Sequence, residues 1–169
     1  NNFEAVAAYK FNGAARIHAF RPHMHLRART GTASLISADA GRRVLLHIPK
    51  GFDPRRPALM VVFFHGNEAT LERDVRNRQA VPRQITESGL NAVLVAPQFA
   101  VNALDSSAGR FWEPGVFAQF VREAGDRLTE LYGDARARGA FHNAPVVVAA
   151  YSGGYNPAAA LVSALAEPL

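Results

Sequence analysis

The stretch Pro145-Val146-Val147-Val148-Ala149-Ala150-Tyr151-Ser152-Gly153-Gly154-Tyr155-Asn156-Pro157 decides how the chain is read. Val146 to Ala150 form a short, continuous apolar run, the pattern of a strand covered on both faces in a parallel sheet. The run leads into Ser152, and an alanine-rich helical segment, Pro157 to Leu165, begins shortly after. A strand that becomes a helix within so few residues must turn sharply at the serine. Such a corner strains the serine backbone and lifts its hydroxyl clear of the sheet. Ala150 and Gly154, two residues before and two after, are small enough to leave room for the turn.

Working outward, the same buried-strand pattern recurs upstream. Ala58 to Phe64 is the most hydrophobic run in the chain and is followed at once by His65-Gly66-Asn67. Asn91 to Pro97 is a further buried strand. Between them, Thr70 to Ser88 reads as a helix with Val75, Val81 and Ile85 on its apolar side, kinked or divided by Pro82 and capped by Gly89. Phe117 to Tyr132 is an amphipathic helix, with Phe117, Phe120, Val121, Ala124, Leu128 and Leu131 at helical spacing and Gly133 closing it. Ala135 to Asn143 is a short connection. At the N-terminal side, Ala33 to Ala38 and Arg43 to Ile48 flank the turn Asp39-Ala40-Gly41 and predict an antiparallel hairpin, ended by the proline-rich loop Pro49 to Pro57. The fold class expected is α/β, a mostly parallel sheet flanked by helices. Residues 1–32 differ in character and are expected to form an extension, with 33–169 as the main domain.

The strand–Ser152–helix corner resembles the nucleophile elbow of the α/β-hydrolase superfamily, and the order of motifs from Arg43 onward is similar to that family's. The usual elbow has glycine where Ala150 stands, a departure that keeps the steric requirement. The resemblance implies a serine hydrolase of the esterase, lipase or peptidase type, with Ser152 as nucleophile. It also implies an oxyanion hole made by the Gly153 N–H and by the N–H of Gly66 or Asn67. His65 would brace that loop. Phe111 and Trp112, in the long loop Gln98 to Gly115, would either wall a pocket or anchor the next helix, and Tyr151 adjoins the serine. No cofactor is implied; the substrate would be a small-molecule ester or amide.

The family order places the triad acid and histidine after the serine, whereas this sequence carries Glu167 and no histidine beyond Ser152. Asp105 precedes the serine, and His142 lies at the opposite end of the same strand. The expectation is therefore the N-terminal half of a hydrolase-like domain, truncated after the elbow helix. It would be completed by further chain, by a second polypeptide, or by self-association through the exposed elbow-strand edge. The alternative from another class is a non-catalytic binding or assembly module.

Composition bounds the remaining choices. A hydrophobic share of 49% supports a packed core, and the absence of cysteine excludes disulfides and thiolate chemistry. No run is long enough to be a membrane-spanning helix. The net charge of +5 is spread along the chain rather than gathered on one element, which argues against a nucleic-acid partner. His23 and His25, on either side of Met24, would share one face of a strand and could chelate a metal. That segment resembles the His-x-His stretch of copper type II ascorbate-dependent monooxygenases, which makes copper binding through His23 and His25 a further alternative.

Overall fold

Continuous apolar runs and the positions of proline account for most element boundaries. The computed structural model describes residues 29–34, 43–101, 109–111 and 113–166. His18, His23, His25, Asp105, Trp112 and Glu167 lie outside them, as do most of the expected first strand and its turn. Among the described residues five strands are formed: β1 (Arg29–Ser34), β2 (Arg43–Ile48), β3 (Leu59–Phe64), β4 (Ala92–Pro97) and β5 (Val146–Ala150). They make one open sheet in the order β1-β2-β4-β3-β5.

The sheet is mixed, where a mostly parallel one was expected. β2 pairs antiparallel with both β1 and β4, while β3 pairs parallel with β4 and with β5. β2 alone runs against the rest. The hairpin is formed, but β1 starts at Arg29, four residues before the expected Ala33, and its register sets Arg29 against Ile48 and Ser34 against Arg43. Thr30 and Thr32 suit an extended edge. Gly31 lets Leu131 of the long helix lie close, since a methyl group there would be 3.3 Å from Leu131 Cδ1.

Both faces of the sheet are covered. On one, Val44, Leu46, Met60, Val62, Phe64, Val93 and Val95 pack against α2 (Val116–Tyr132), α3 (Arg138–His142) and α4 (Tyr155–Ala166). Phe120, Ala124 and Leu128 of α2 are fully buried there. Phe111 is buried in the same core, against the rings of Phe64, Phe117 and Phe120, so it anchors α2 rather than lining a pocket. On the other face, Leu45, Leu94 and Ala96 meet Leu71, Val75 and Val81.

The expected helix over Thr70–Ser88 is two elements. Leu71–Arg78 is a π-helical segment, with Val75 N–H donating to Thr70 and Gln79 N–H to Asp74, five residues back in each case. It breaks at Ala80, whose φ is +50°. Pro82 then falls in the first turn of α1 (Val81–Glu87), where a missing N–H costs nothing, so of the two expected outcomes the helix is divided ahead of Pro82 and not kinked by it. Asp74 is buried at the head of the π-helix. Burial alone would raise its carboxyl pKa, but the Thr70 N–H, Arg73 and Arg78 outweigh that and hold it low. The connection expected over Ala135–Asn143 contains a 3-10 turn and α3.

Candidate functional site

Ser152 stands at φ +52°, in the left-handed region. That conformation costs a residue with a Cβ on the order of 1 kcal/mol or more, so its surroundings must impose it. Ahead of it, Tyr151 N–H donates to the Phe64 carbonyl at 3.0 Å, carrying the β3–β5 pairing one residue past the strand. Behind it, Gly154 N–H donates to the Tyr151 carbonyl at 3.0 Å and closes a single 3-10 turn that leads into α4. Gly154 has no space for a side chain: a methyl group would lie 2.3 Å from the Phe64 carbonyl oxygen and 2.7 Å from that of His65. The 3-10 turn ahead of α4 thus rests directly on the end of β3. Ser152 is exposed and Tyr151 beside it is half exposed.

The loop after β3 approaches this corner. A methyl group on Gly66 would be 3.0 Å from Ser152 Cβ and 3.5 Å from Ser152 Oγ. Any side chain at this position would press on Ser152, so glycine suits the close approach of the loop. The N–H groups of Gly66 and Asn67 donate to no acceptor among the described residues. Gly153 N–H lies in the N-terminal turn of a helix, where backbone donors lack intrahelical partners. Ser152, Gly153, Gly66 and Asn67 are therefore brought to one edge of the sheet, at the C-terminal ends of β3 and β5.

His65 lies beneath them and is 1% exposed. Its Nε2 accepts the Phe99 N–H at 2.9 Å, and a main-chain N–H can only donate. The ring proton is therefore on Nδ1, which donates to the Gly66 carbonyl at 2.8 Å. Burial lowers its pKa, partly offset by that carbonyl and by Asp74, and the ring is neutral near pH 7. Gln98, which the sequence reading did not single out, also contacts this ring and bridges Ala69, Leu71 and Phe99. The only sequence signal for it is a polar residue placed straight after an apolar strand.

The other described histidines are committed elsewhere. His47 is buried between the hydroxyls of Thr30 and Thr86, at 2.6 and 2.8 Å, and burial lowers its pKa to about 4. His142 Nε2 is 3.0 Å from Asp126 Oδ1, at the end of β5 remote from Ser152. The five residues of β5 alone separate those ends by about 16 Å. No group of three or more metal-ligating side chains occurs among the described residues. Among them, too, no helix is long and apolar enough to cross a membrane. Two open clefts lie at that remote end, one lined by Arg56, Pro57, Ala144 and Pro145 and the other by Phe52, Arg55, Tyr132 and Arg136. Ser152 lines neither. No protein-family model matches the chain, and no curated protein matches it.

Proposed function

We propose that this protein is a serine hydrolase of the α/β-hydrolase type that cleaves an ester or amide bond of a small molecule. The observation that carries the reading is the strained, exposed Ser152 with the Gly66 backbone packed against its Cβ. Ser152 Oγ attacks the substrate carbonyl carbon, and the carbonyl oxygen takes the negative charge. The Gly153 N–H and the Gly66 or Asn67 N–H hydrogen-bond that oxygen, each donor contributing about 10²- to 10³-fold in rate. Collapse expels the alcohol or amine and leaves the acyl group on Ser152, and water then releases the acid. A base must take the serine proton. His47, His65 and His142 are held elsewhere, so none of the described histidines is that base. The chemistry uses no cofactor.

Incubation with a fluorophosphonate followed by peptide mass mapping tests the reading. Covalent label on Ser152, lost in Ser152→Ala, is the expected result. A protein that stays unlabelled at millimolar reagent would sink it.

A second reading is a non-catalytic module that binds or assembles through β5. It is favoured by one observation. β5 is the outer strand of the described sheet, and Val146 on it and Tyr155 and Val162 on α4 are 37%, 69% and 60% exposed. An unlabelled protein that pairs through this edge would support it.

A further inference from the structure

We infer that Gln98 is a positioning residue: acting through His65, it fixes the plane of the Gly66–Asn67 peptide and so the aim of the Asn67 N–H. The inference rests on the reading of Ser152 as a nucleophile.

Gln98 is itself firmly placed. It follows β4 directly, and its N–H donates to the Arg43 carbonyl at 2.9 Å, so its backbone continues the β2–β4 pairing. From that base its carboxamide spans the whole loop after β3. Oε1 accepts the Leu71 N–H at 2.9 Å, and Nε2 donates to the carbonyls of Ala69 at 3.0 Å and Phe99 at 2.9 Å. The same nitrogen lies 3.0 Å from His65 Nε2. One side chain thus ties the far end of the loop to the sheet, and holds Phe99 by its carbonyl while the N–H of the same residue fixes the His65 ring.

The His65 ring passes this order on to a single peptide unit. Its Nδ1–H donates to the Gly66 carbonyl, and Ala69 N–H reaches the same oxygen at 3.3 Å. The Gly66–Asn67 bond is planar and trans, so its C=O and N–H point in opposite directions. With the oxygen tied to the buried His65 ring, the Asn67 N–H points away from that ring, and Asn67 is exposed, as Ser152 is. Gly66 has no Cβ, and without the clasp this peptide would rotate easily. Of the two loop donors considered above, the geometry points to Asn67. A donor aimed before substrate arrives needs no reorganisation during the reaction, which is where such groups gain their effect. Their contribution falls mainly on kcat, not on substrate binding.

The test compares the full chain with Gln98→Met, which keeps the volume and removes the hydrogen bonds, and with Gln98→Glu. Three quantities are read: p-nitrophenyl butyrate hydrolysis, the rate of fluorophosphonate labelling, and amide exchange over residues 65–71. Gln98→Met is expected to lower kcat and the labelling rate by about 10- to 100-fold with KM changed less than about threefold. Exchange should quicken in the loop while β3 and β4 stay protected. Gln98→Glu keeps the acceptor for Leu71 but sets a carboxylate against His65 Nε2. It is expected to add an ionisation to the pH profile of kcat that the parent lacks, and it decides the matter should Gln98→Met fail to fold. A kcat within twofold of the parent for the folded variants overturns the inference and leaves the serine reading standing. So does a rise in KM alone, or equal loss of protection in β3 and β4. A parent chain that neither hydrolyses nor labels removes the serine reading first, and the positioning role with it.

Discussion

Ser152 keeps its left-handed backbone because its neighbours leave it no alternative, and that makes its strain measurable. Glycine adopts φ +52° without the Cβ penalty, so Ser152→Gly should be more stable than Ser152→Ala by about 1 kcal/mol in urea titrations. Equal midpoints would mean that the corner is relaxed. Gly154 should behave in the opposite sense: Gly154→Ala drives a methyl group into the Phe64 carbonyl and should cost about 3 kcal/mol in the same assay. These positions were legible in the sequence because a sharp strand-to-helix turn demands small residues at set offsets from its corner. Gln98 was not. Its partners His65, Ala69 and Leu71 lie 27 to 33 positions away along the chain, and no local periodicity marks a polar side chain that acts across such a gap.

Among the elements, β2, β3, β4 and β5 were readable because each is a run of apolar residues bounded by proline, glycine or charge. The start of β1 was not, since Arg-Thr-Gly-Thr is polar and becomes a strand by pairing with β2. The break between the π-helix and α1 was signalled by Pro82, but its place was not: Val75, Val81 and Ile85 keep up an apolar side through Ala80, and nothing in an alanine announces a positive φ. His47 joins three of these elements, bonding Thr30 of β1 and Thr86 of α1 from its place on β2. Its pKa falls from 6.5 to about 4 on folding, so the folded state refuses a proton that the unfolded chain accepts. Its contribution to stability is therefore fully present above pH 6.5 and is lost as pH falls towards 4. The slope is at most about 1.4 kcal/mol per pH unit. Urea midpoints between pH 7 and 4 should show this slope, and His47→Gln should flatten it. An unchanged slope in the variant would assign the acid sensitivity to other groups.

For the molecule as a whole, charge and edges set behaviour in solution. Arginines at 55, 73, 76, 78, 83, 127, 136 and 138 each meet a carboxylate close by, so the positive surface is broken into local pairs. β5 carries no charged side chain of its own and is the outer strand of the described sheet. Concentration-dependent association of the chain, measured by sedimentation velocity, should weaken in Val146→Lys, because a lysine on an edge strand opposes pairing with another strand. A chain that is monomeric across the range, or a variant that associates just as strongly, would count against β5 as a contact surface. The sheet order has one more consequence. β2 and β3 follow one another in sequence, yet β4 lies between them, so the loop over residues 49–58 joins strands that never touch. The β1–β2 hairpin is thus held by β4 and α2 and not by its own tether. A protease nick at exposed Arg55 would yield two fragments that copurify as one particle and part only when the sheet is denatured.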